Sequence, residues 1–326
     1  MAILYLDVET FSDGEFKFGN TKIISIQVQY EDNNGRINIS KEWKDGEEQI
    51  LKGFYEYLKN LLQTGDVTII GHNLLRFDIP MLIHRMAHNN IDSYENLMDL
   101  FHNFFVIDNM QCSLPEFKFK GLGAEEEKRF ILYLDIETFS KRKKFKFGNT
   151  KIISIQYKRS KGKLNILKEW KVGEKQILKD FYDYLKNLLQ TGKSVTIIGH
   201  NLLRFDIPML IHRMAHNNID SYENLMDLFF HNIFIIDTMQ CLLPFNKFRF
   251  KGLCAEELAK KLKISKPKYK NSEIPDFYKG KEFNKIEEHI IADMKFIKDL
   301  WRILTKEPDK LKLLLTEEPD KLKLLK

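Results

Sequence analysis

The chain has 326 residues, of which 43% are hydrophobic and 30% charged, with a formal net charge of +6. That balance excludes a disordered tail and fits one large or two modest globular domains. No run of about 18 apolar residues is present, so no bilayer-spanning helix is expected, and the N-terminus lacks the basic region and cleavage site of a signal peptide. Cys112, Cys241 and Cys254 form no C-x-x-C pattern. So sparse and odd a set argues against a disulfide scaffold, fits a reducing cytoplasm, and is expected to be buried as small apolar residues.

In chain order, the dominant feature is a repeat. ILYLDVETFS (Ile3 to Ser12) returns as ILYLDIETFS (Ile131 to Ser140), and KFGNTKIISIQ at Lys17 returns at Lys146. The 35 residues Val67 to Phe101 return unchanged as Val195 to Phe229. The period is too long for a solenoid, so the pattern is a duplicated domain. The expected organisation is a truncated copy over 1–122, a linker over 123–129, a complete copy over 130–304, and a repetitive charged, leucine-bearing tail over 305–326. Charge divides with the copies. Residues 1–129 carry 13 Lys+Arg and 21 Asp+Glu and the remainder 39 and 25, so the +6 splits into −8 and +14. A surplus of +14 exceeds what solubility requires and suggests a polyanionic partner for the second copy.

Within the second copy, Ile131 to Glu137 is an apolar run with a polar end, a first strand. Lys151 to Tyr157 and Leu164 to Trp170 follow as strands two and three. Glu174 to Leu189 carries apolar residues at helical spacing. Val195 to Ile198 is a short buried strand, a helix is expected from Pro208, and Phe234 to Asp237 is a fifth strand. Glu256 to Leu262 and Asn284 to Leu304 are the last two helices. The expected fold is α/β, a mixed five-stranded sheet flanked by helices.

Carboxylates stand where carboxylates are costly. Asp135 and Glu137 lie two apart on the first strand, on one face and about 7 Å apart by strand rise. Like charges on a buried face repel unless a cation lies between them; solvated acids at a strand end are the plainer alternative. Asp206, in GHNLLRFDIP, falls where a helix cap would serve as its plain explanation. On the last helix, Ile286, Ile290, Ile297, Trp301 and Leu304 form one apolar stripe that contains Asp293, with His289 at its edge one turn before. A carboxylate there needs a cation or a partner such as His289 or a lysine. Asp135, Glu137, Asp206 and Asp293 with one histidine make an oxygen-rich donor set that suits Mg²⁺ or Mn²⁺. Two such ions about 3.5–4 Å apart can clamp the attacking and leaving oxygens of a phosphodiester, and His289 could take the proton from the attacking water.

These three segments, ILYLDIET, GHNLLRFDIPML and HIIAD, together resemble the exonuclease motifs of the RNase H-like DEDD superfamily. Within it they are most similar to stand-alone relatives of the proofreading domain of family-B DNA polymerases. The likeness covers about 130–304 fully and 1–122 in part. It implies an RNase H-like fold in one complete and one truncated copy, two bound metal ions, and 3′→5′ release of nucleoside monophosphates. It implies Asp135, Glu137, Asp206 and Asp293 as metal ligands and His289 as general base. The third motif departs from the family, since His289-x3-Asp293 has the tyrosine-type spacing with histidine in place of tyrosine. Asp7, Glu9 and Asp78 form the corresponding partial site in copy one. Copy one has no fourth acid, is expected to be inactive alone, and lacks the helices that would cover one sheet face. A variant places the last helix on copy one instead.

Other features point to single strands. Phe245, Phe248 and Phe250 alternate with Lys247, Arg249 and Lys251, the composition of a base-stacking, phosphate-holding segment; an amphipathic strand is the alternative. Lys141, Arg142, Lys143 and Lys144 follow the first motif, where copy one has Asp13-Gly14-Glu15. A basic loop there would attract a phosphate backbone. Asn201 and Phe205 belong to the second motif and join this binding set. His212 and His216 are four apart on a helix, but as a pair without a third ligand they read as structural. The reading is a metal-dependent 3′→5′ exonuclease on single-stranded DNA or RNA with a free 3′ end, DNA favoured. It is expected in the cytoplasm without membrane partners, with self-association possible through copy one's uncovered sheet. A nucleic-acid-binding protein impaired in catalysis and a structure-selective endonuclease are the alternatives.

Overall fold

The computed structural model describes residues 2–31, 36–114, 129–140, 145–265, 267–307 and 311. The expected linker (apart from Arg129), Lys141 to Lys144 and most of the tail lie outside them. Copy one comprises β1 (Ala2–Ser12), β2 (Thr21–Tyr30), β3 (Ile37–Lys41), α1 (Glu47–Gln63), β4 (Val67–Gly71), α2 (Ile79–His88), α3 (Tyr94–His102) and β5 (Phe105–Asp108). Copy two repeats the series as β6 (Arg129–Ser140), β7 (Thr150–Arg159), β8 (Leu164–Lys168), α4 (Glu174–Gln190), β9 (Ser194–Gly199), α5 (Ile207–His216), α6 (Tyr222–Met226) and β10 (Ile233–Asp237). It then adds α7 (Ala255–Leu262), α8 (Ile274–Lys279) and α9 (Phe283–Lys306).

The strand orders are β3-β2-β1-β4-β5 and β8-β7-β6-β9-β10. Hairpins make the first three strands of each sheet antiparallel, and the next strand joins parallel through a helical crossover. This is the expected mixed sheet of an RNase H-like fold, present twice. The helices follow from spacing. In α4, Ile177, Leu178, Phe181, Leu185 and Leu188 are buried on one face, and α4 packs on β7, β8 and β9. Among the described residues no helix is long and apolar enough to cross a membrane.

The chain divides into two compact units. One holds Met1–Met110, Lys144–Asn149 and Leu203–Ile233, and the other holds Gln111–Lys143, Thr150–Leu202 and Phe234–Lys326. In the first unit, contacts come in reciprocal pairs. The Phe18 N–H donates to Asp227 Oδ1 (3.1 Å) and the Phe147 N–H to Asp99 Oδ1 (3.0 Å). Arg76 donates to the carbonyls of Phe230 and Ile233, and Arg204 to those of His102 and Phe104. The rings of Tyr94 and Tyr222 stack at 3.8 Å and 8°, and each hydroxyl meets a buried histidine Nδ1 at 2.7 Å, His84 or His212.

In the second unit, α9 packs on β6, β7 and β9, and α8 packs on β6. This settles where the last helix docks and overturns the variant that placed it on copy one. The consequence is read in exposure. Tyr5 is 42% exposed and its counterpart Tyr133 6%; Phe11 is 49% exposed and Phe139 8%. Ile37, Ile39 and Trp43 of copy one are likewise exposed.

Several expectations need correction. Strand three ends at Lys168, and Trp170 lies in a helical turn, Glu169–Val172. Its ring stacks on Phe283 at 4.8 Å, a tertiary contact that local pattern does not reveal. Phe245 to Lys251 is no amphipathic strand. Pro244–Asn246 is a 3-10 turn, and Lys247 and Phe248 have positive φ. Cys254 is exposed, unlike Cys112 and Cys241, because it precedes α7 at the surface.

Candidate metal centre

β6 carries Asp135 and Glu137 to the face that α9 covers. A bulge follows Glu137, where the register against β7 shifts, and such a bulge re-aims side chains at a strand end. Glu137 is buried and Asp135 partly so. Asp135 Oδ2 accepts a hydrogen bond from Gln156 Nε2 at 2.5 Å, and Ser154 Oγ donates to Gln156 Oε1 at 3.1 Å. This buried Ser154–Gln156–Asp135 relay went unread in the sequence, although KIISIQ occurs in both copies.

α9 presents His289 and Asp293 one turn apart, both buried. His289 Nε2 lies 3.0 Å from Asp293 Oδ2 and 3.5 Å from Glu137 Oε1. Neither imidazole nitrogen has the alignment of a hydrogen bond, and the contacts are ion pairs only when the imidazole is protonated. Ligand atoms of Glu137, His289 and Asp293 lie within 4.8 Å of one another, and Asp293 Oδ1 is buried without a hydrogen-bond donor. The electrostatics follow from crowding. Burial first, then the charge of Asp293, pushes Asp135 up to about 7. Burial alone would lower the pKa of His289, but its contact with Asp293 and the charges of Asp293 and Asp135 raise it.

The expected helix cap by Asp206 is corrected. Asp206 closes a π turn, Leu202–Asp206, that runs directly into α5. It is buried, and its side chain caps nothing at the helix start. Copy one shows how this position is used: Asp78 Oδ1 accepts the Val8 N–H at 2.9 Å, between Asp7 and Glu9. Burial and then the Asp7 charge push Asp78 up to about 7, against the pull of that hydrogen bond. Asp7 and Glu9 themselves are exposed, whereas their counterparts under α9 are not.

A second carboxylate unread in the sequence positions the loop. Asp237, at the end of β10, accepts the N–H groups of Asn201 (2.8 Å) and Met239 (3.0 Å). Asp108 does the same in copy one for Asn73, Leu75 and Met110. An acid closing an apolar strand, as in FIID and FVID, was the available signal. Gly199 lets the loop start, because a Cβ there would stand 2.6 Å from the Leu134 carbonyl. His200 is locked between Thr238 Oγ1 (3.0 Å) and the Leu253 carbonyl (2.7 Å), and burial lowers its pKa to about 4.

The remaining candidates scatter. Asn201 has φ 63° and a buried Oδ1 without a hydrogen bond. Phe205 stands among the rings of His102 and Phe145. Phe248 and Arg249 are exposed and Phe250 is half-buried, whereas Phe245 is core. His212 is core, bonded to Tyr222, as a structural pair would be.

No family model matches the chain, and the comparison with curated proteins found no match. Among solved structures it is similar to the family B DNA polymerase from the hyperthermophilic archaeon Pyrobaculum calidifontis, with TM-score 0.42 and 14% identity. The alignment spans 58% of this chain and 27% of the polymerase.

Proposed function

We propose that copy two is a metal-dependent 3′→5′ exonuclease acting on single-stranded nucleic acid, DNA favoured. The observation that carries this reading is the buried convergence of Glu137, His289 and Asp293. A carboxylate oxygen without a donor, and a carboxyl raised by burial and then by a neighbouring charge, are what cation ligands look like when nothing but a proton balances them. Asp135, Glu137 and Asp293 would hold Mg²⁺ or Mn²⁺, with His289 beside them. Asp206 is the remaining carboxylate of the motif set, and its counterpart Asp78 accepts the Val8 N–H between Asp7 and Glu9 in copy one. Divalent ions there would supply the positive charge that stabilises the attacking and leaving oxygens of a phosphodiester.

The chain's own groups do the rest. Gln156 orients Asp135, and Asp237 with Gly199 shapes the second-motif loop. His289 can accept a proton from water only when it is neutral. Asn201, Phe205, Phe248, Arg249 and Phe250 remain candidates for contacting the strand, and so does the basic run at Lys141, Arg142, Lys143 and Lys144.

A second reading, a nucleic-acid-binding protein impaired in catalysis, has one specific support. A protonated His289, paired with Glu137 and Asp293, places a cation of the protein's own where a metal would go. A degradation assay on 5′-labelled single-stranded DNA and RNA, with Mg²⁺, Mn²⁺ or EDTA, decides between them. Stepwise shortening that disappears in EDTA and in Asp293→Ala, and persists in Asp7→Ala, supports the exonuclease. Retention of the labelled strand without shortening favours the second reading. Internal cuts instead of a 3′ ladder would point to an endonuclease.

A further inference from the structure

We infer that the bare sheet face of copy one is a receptor for a helical segment of a different protein chain, built on the pattern of α8 and α9. Copy two shows the occupied form of the same surface. There, Tyr278 lies against Phe139 (ring centroids 4.9 Å) and its hydroxyl meets Lys151 Nζ at 2.8 Å. Lys151 also pairs with Glu169 at 2.8 Å. Phe283 stacks on Trp170, and Glu287 pairs with Lys168 at 2.6 Å.

Copy one keeps each receiving group. Phe11 stands for Phe139, Trp43 for Trp170 and Lys41 for Lys168. Lys22 and Glu42 stand for Lys151 and Glu169, already paired at 3.0 Å. Tyr5, Ile37 and Ile39 are exposed between them. Beside them is a depression of about 270 Å³ lined by Tyr5, Asp7, Gln27, Ile37, His72 and Asn109. The required partner chemistry is therefore specific: an amphipathic helix pair with a phenol for Lys22–Glu42, an aromatic ring for Trp43 and a carboxylate for Lys41. Exposed aromatic and aliphatic groups grouped on one face mark such a site.

Among the described residues the α8–α9 pair already covers β6, β7 and β9, and its equivalent in a second copy of this chain would be engaged in the same way. The face of copy one is therefore assigned to a separate partner that carries the same phenol, aromatic and carboxylate groups on an amphipathic helix pair.

The test uses the full chain and a synthetic peptide of residues 274–306 as the probe. Fluorescence anisotropy of the labelled peptide should show saturable one-to-one binding. Trp43 emission should shift to the blue as its ring is covered, and a Trp43→Phe chain should lose that shift while still binding. Tyr5→Asp/Ile39→Asp, at exposed positions and checked for folding by circular dichroism, should weaken binding by roughly tenfold or more. Phe283→Ala in the peptide should weaken it too. Absence of saturable binding overturns the proposal. So does binding insensitive to Tyr5→Asp/Ile39→Asp, which would mean exchange with the resident α9. Sedimentation showing a dimer of the full chain that this double variant dissolves also overturns it, since the face would then serve self-pairing.

Discussion

Replacing His84 and His212 by glutamine should make the protein less sensitive to acid. Each imidazole is buried with Nδ1 at 2.7 Å from a tyrosine hydroxyl, and those tyrosines stack on one another. Burial first, then the neighbouring Arg85 or Arg213, lowers each pKa to about 4. The unfolded chain, with an ordinary histidine pKa, binds these protons first as pH falls. The stability they contribute is therefore complete above about pH 6.5 and is lost progressively down to about pH 4. Between pH 7 and pH 5 each histidine should cost about 2 kcal/mol, or about 4 kcal/mol for the pair. Asp78 opposes them. Pushed up to about 7 by burial, it regains about 2 kcal/mol over the same interval, because the folded state binds its proton first. The wild-type profile is thus a difference of terms, and the informative quantity is its comparison with His84→Gln/His212→Gln. Urea unfolding at pH 7 and pH 5 should show the double variant losing about 3–4 kcal/mol less than wild type. Equal losses in the two proteins would refute the argument, whatever their stabilities at pH 7.

Mn²⁺ at a hundredfold excess over its Kd should raise the unfolding free energy by about 2.7 kcal/mol. Thermal melts should show the gain abolished by EDTA and by Asp293→Asn, and kept in Asp7→Asn. Gln156→Leu removes the 2.5 Å bond to Asp135 and should weaken Mn²⁺ affinity about 10- to 100-fold, measured by calorimetric titration, without changing the far-ultraviolet dichroism. Gly199→Ala would drive a methyl against the Leu134 carbonyl and should destabilise by about 1–3 kcal/mol in urea.

The sheets were legible because their strands are continuous apolar runs of Ile, Leu, Val and Tyr, and the repeat doubled the signal. The last helix was legible too, since its stripe from Ile286 to Leu304 has a clear 3.6-residue period and its Asp293 stands out against it. What escaped depends on partners distant in sequence. Gln156 and Asp237 are ordinary polar residues until Asp135 and the Asn201 amide come within reach. Trp170 leaves its strand for Phe283, more than a hundred residues on. The segment after Pro244 alternates as a strand does, yet Phe245 is drawn into the core and Lys247 and Phe248 take positive φ. Asp206 sits where a cap belongs, but the π turn before it carries the helix through without one.

Phe230 shows what joining two halves in one chain permits. Copy one runs Phe101-His102 and copy two runs Phe229-Phe230-His231. The added residue is taken up by a π stretch, Asp227–Asn232, where copy one has the regular end of α3, and its carbonyl accepts from Arg76. Arg204, the mate of Arg76, still bonds the carbonyls of His102 and Phe104. A homodimer would receive such an insertion on both sides of its axis at once. Fusion lets each side drift alone, so one half can lose its cover while the other keeps its carboxylates enclosed.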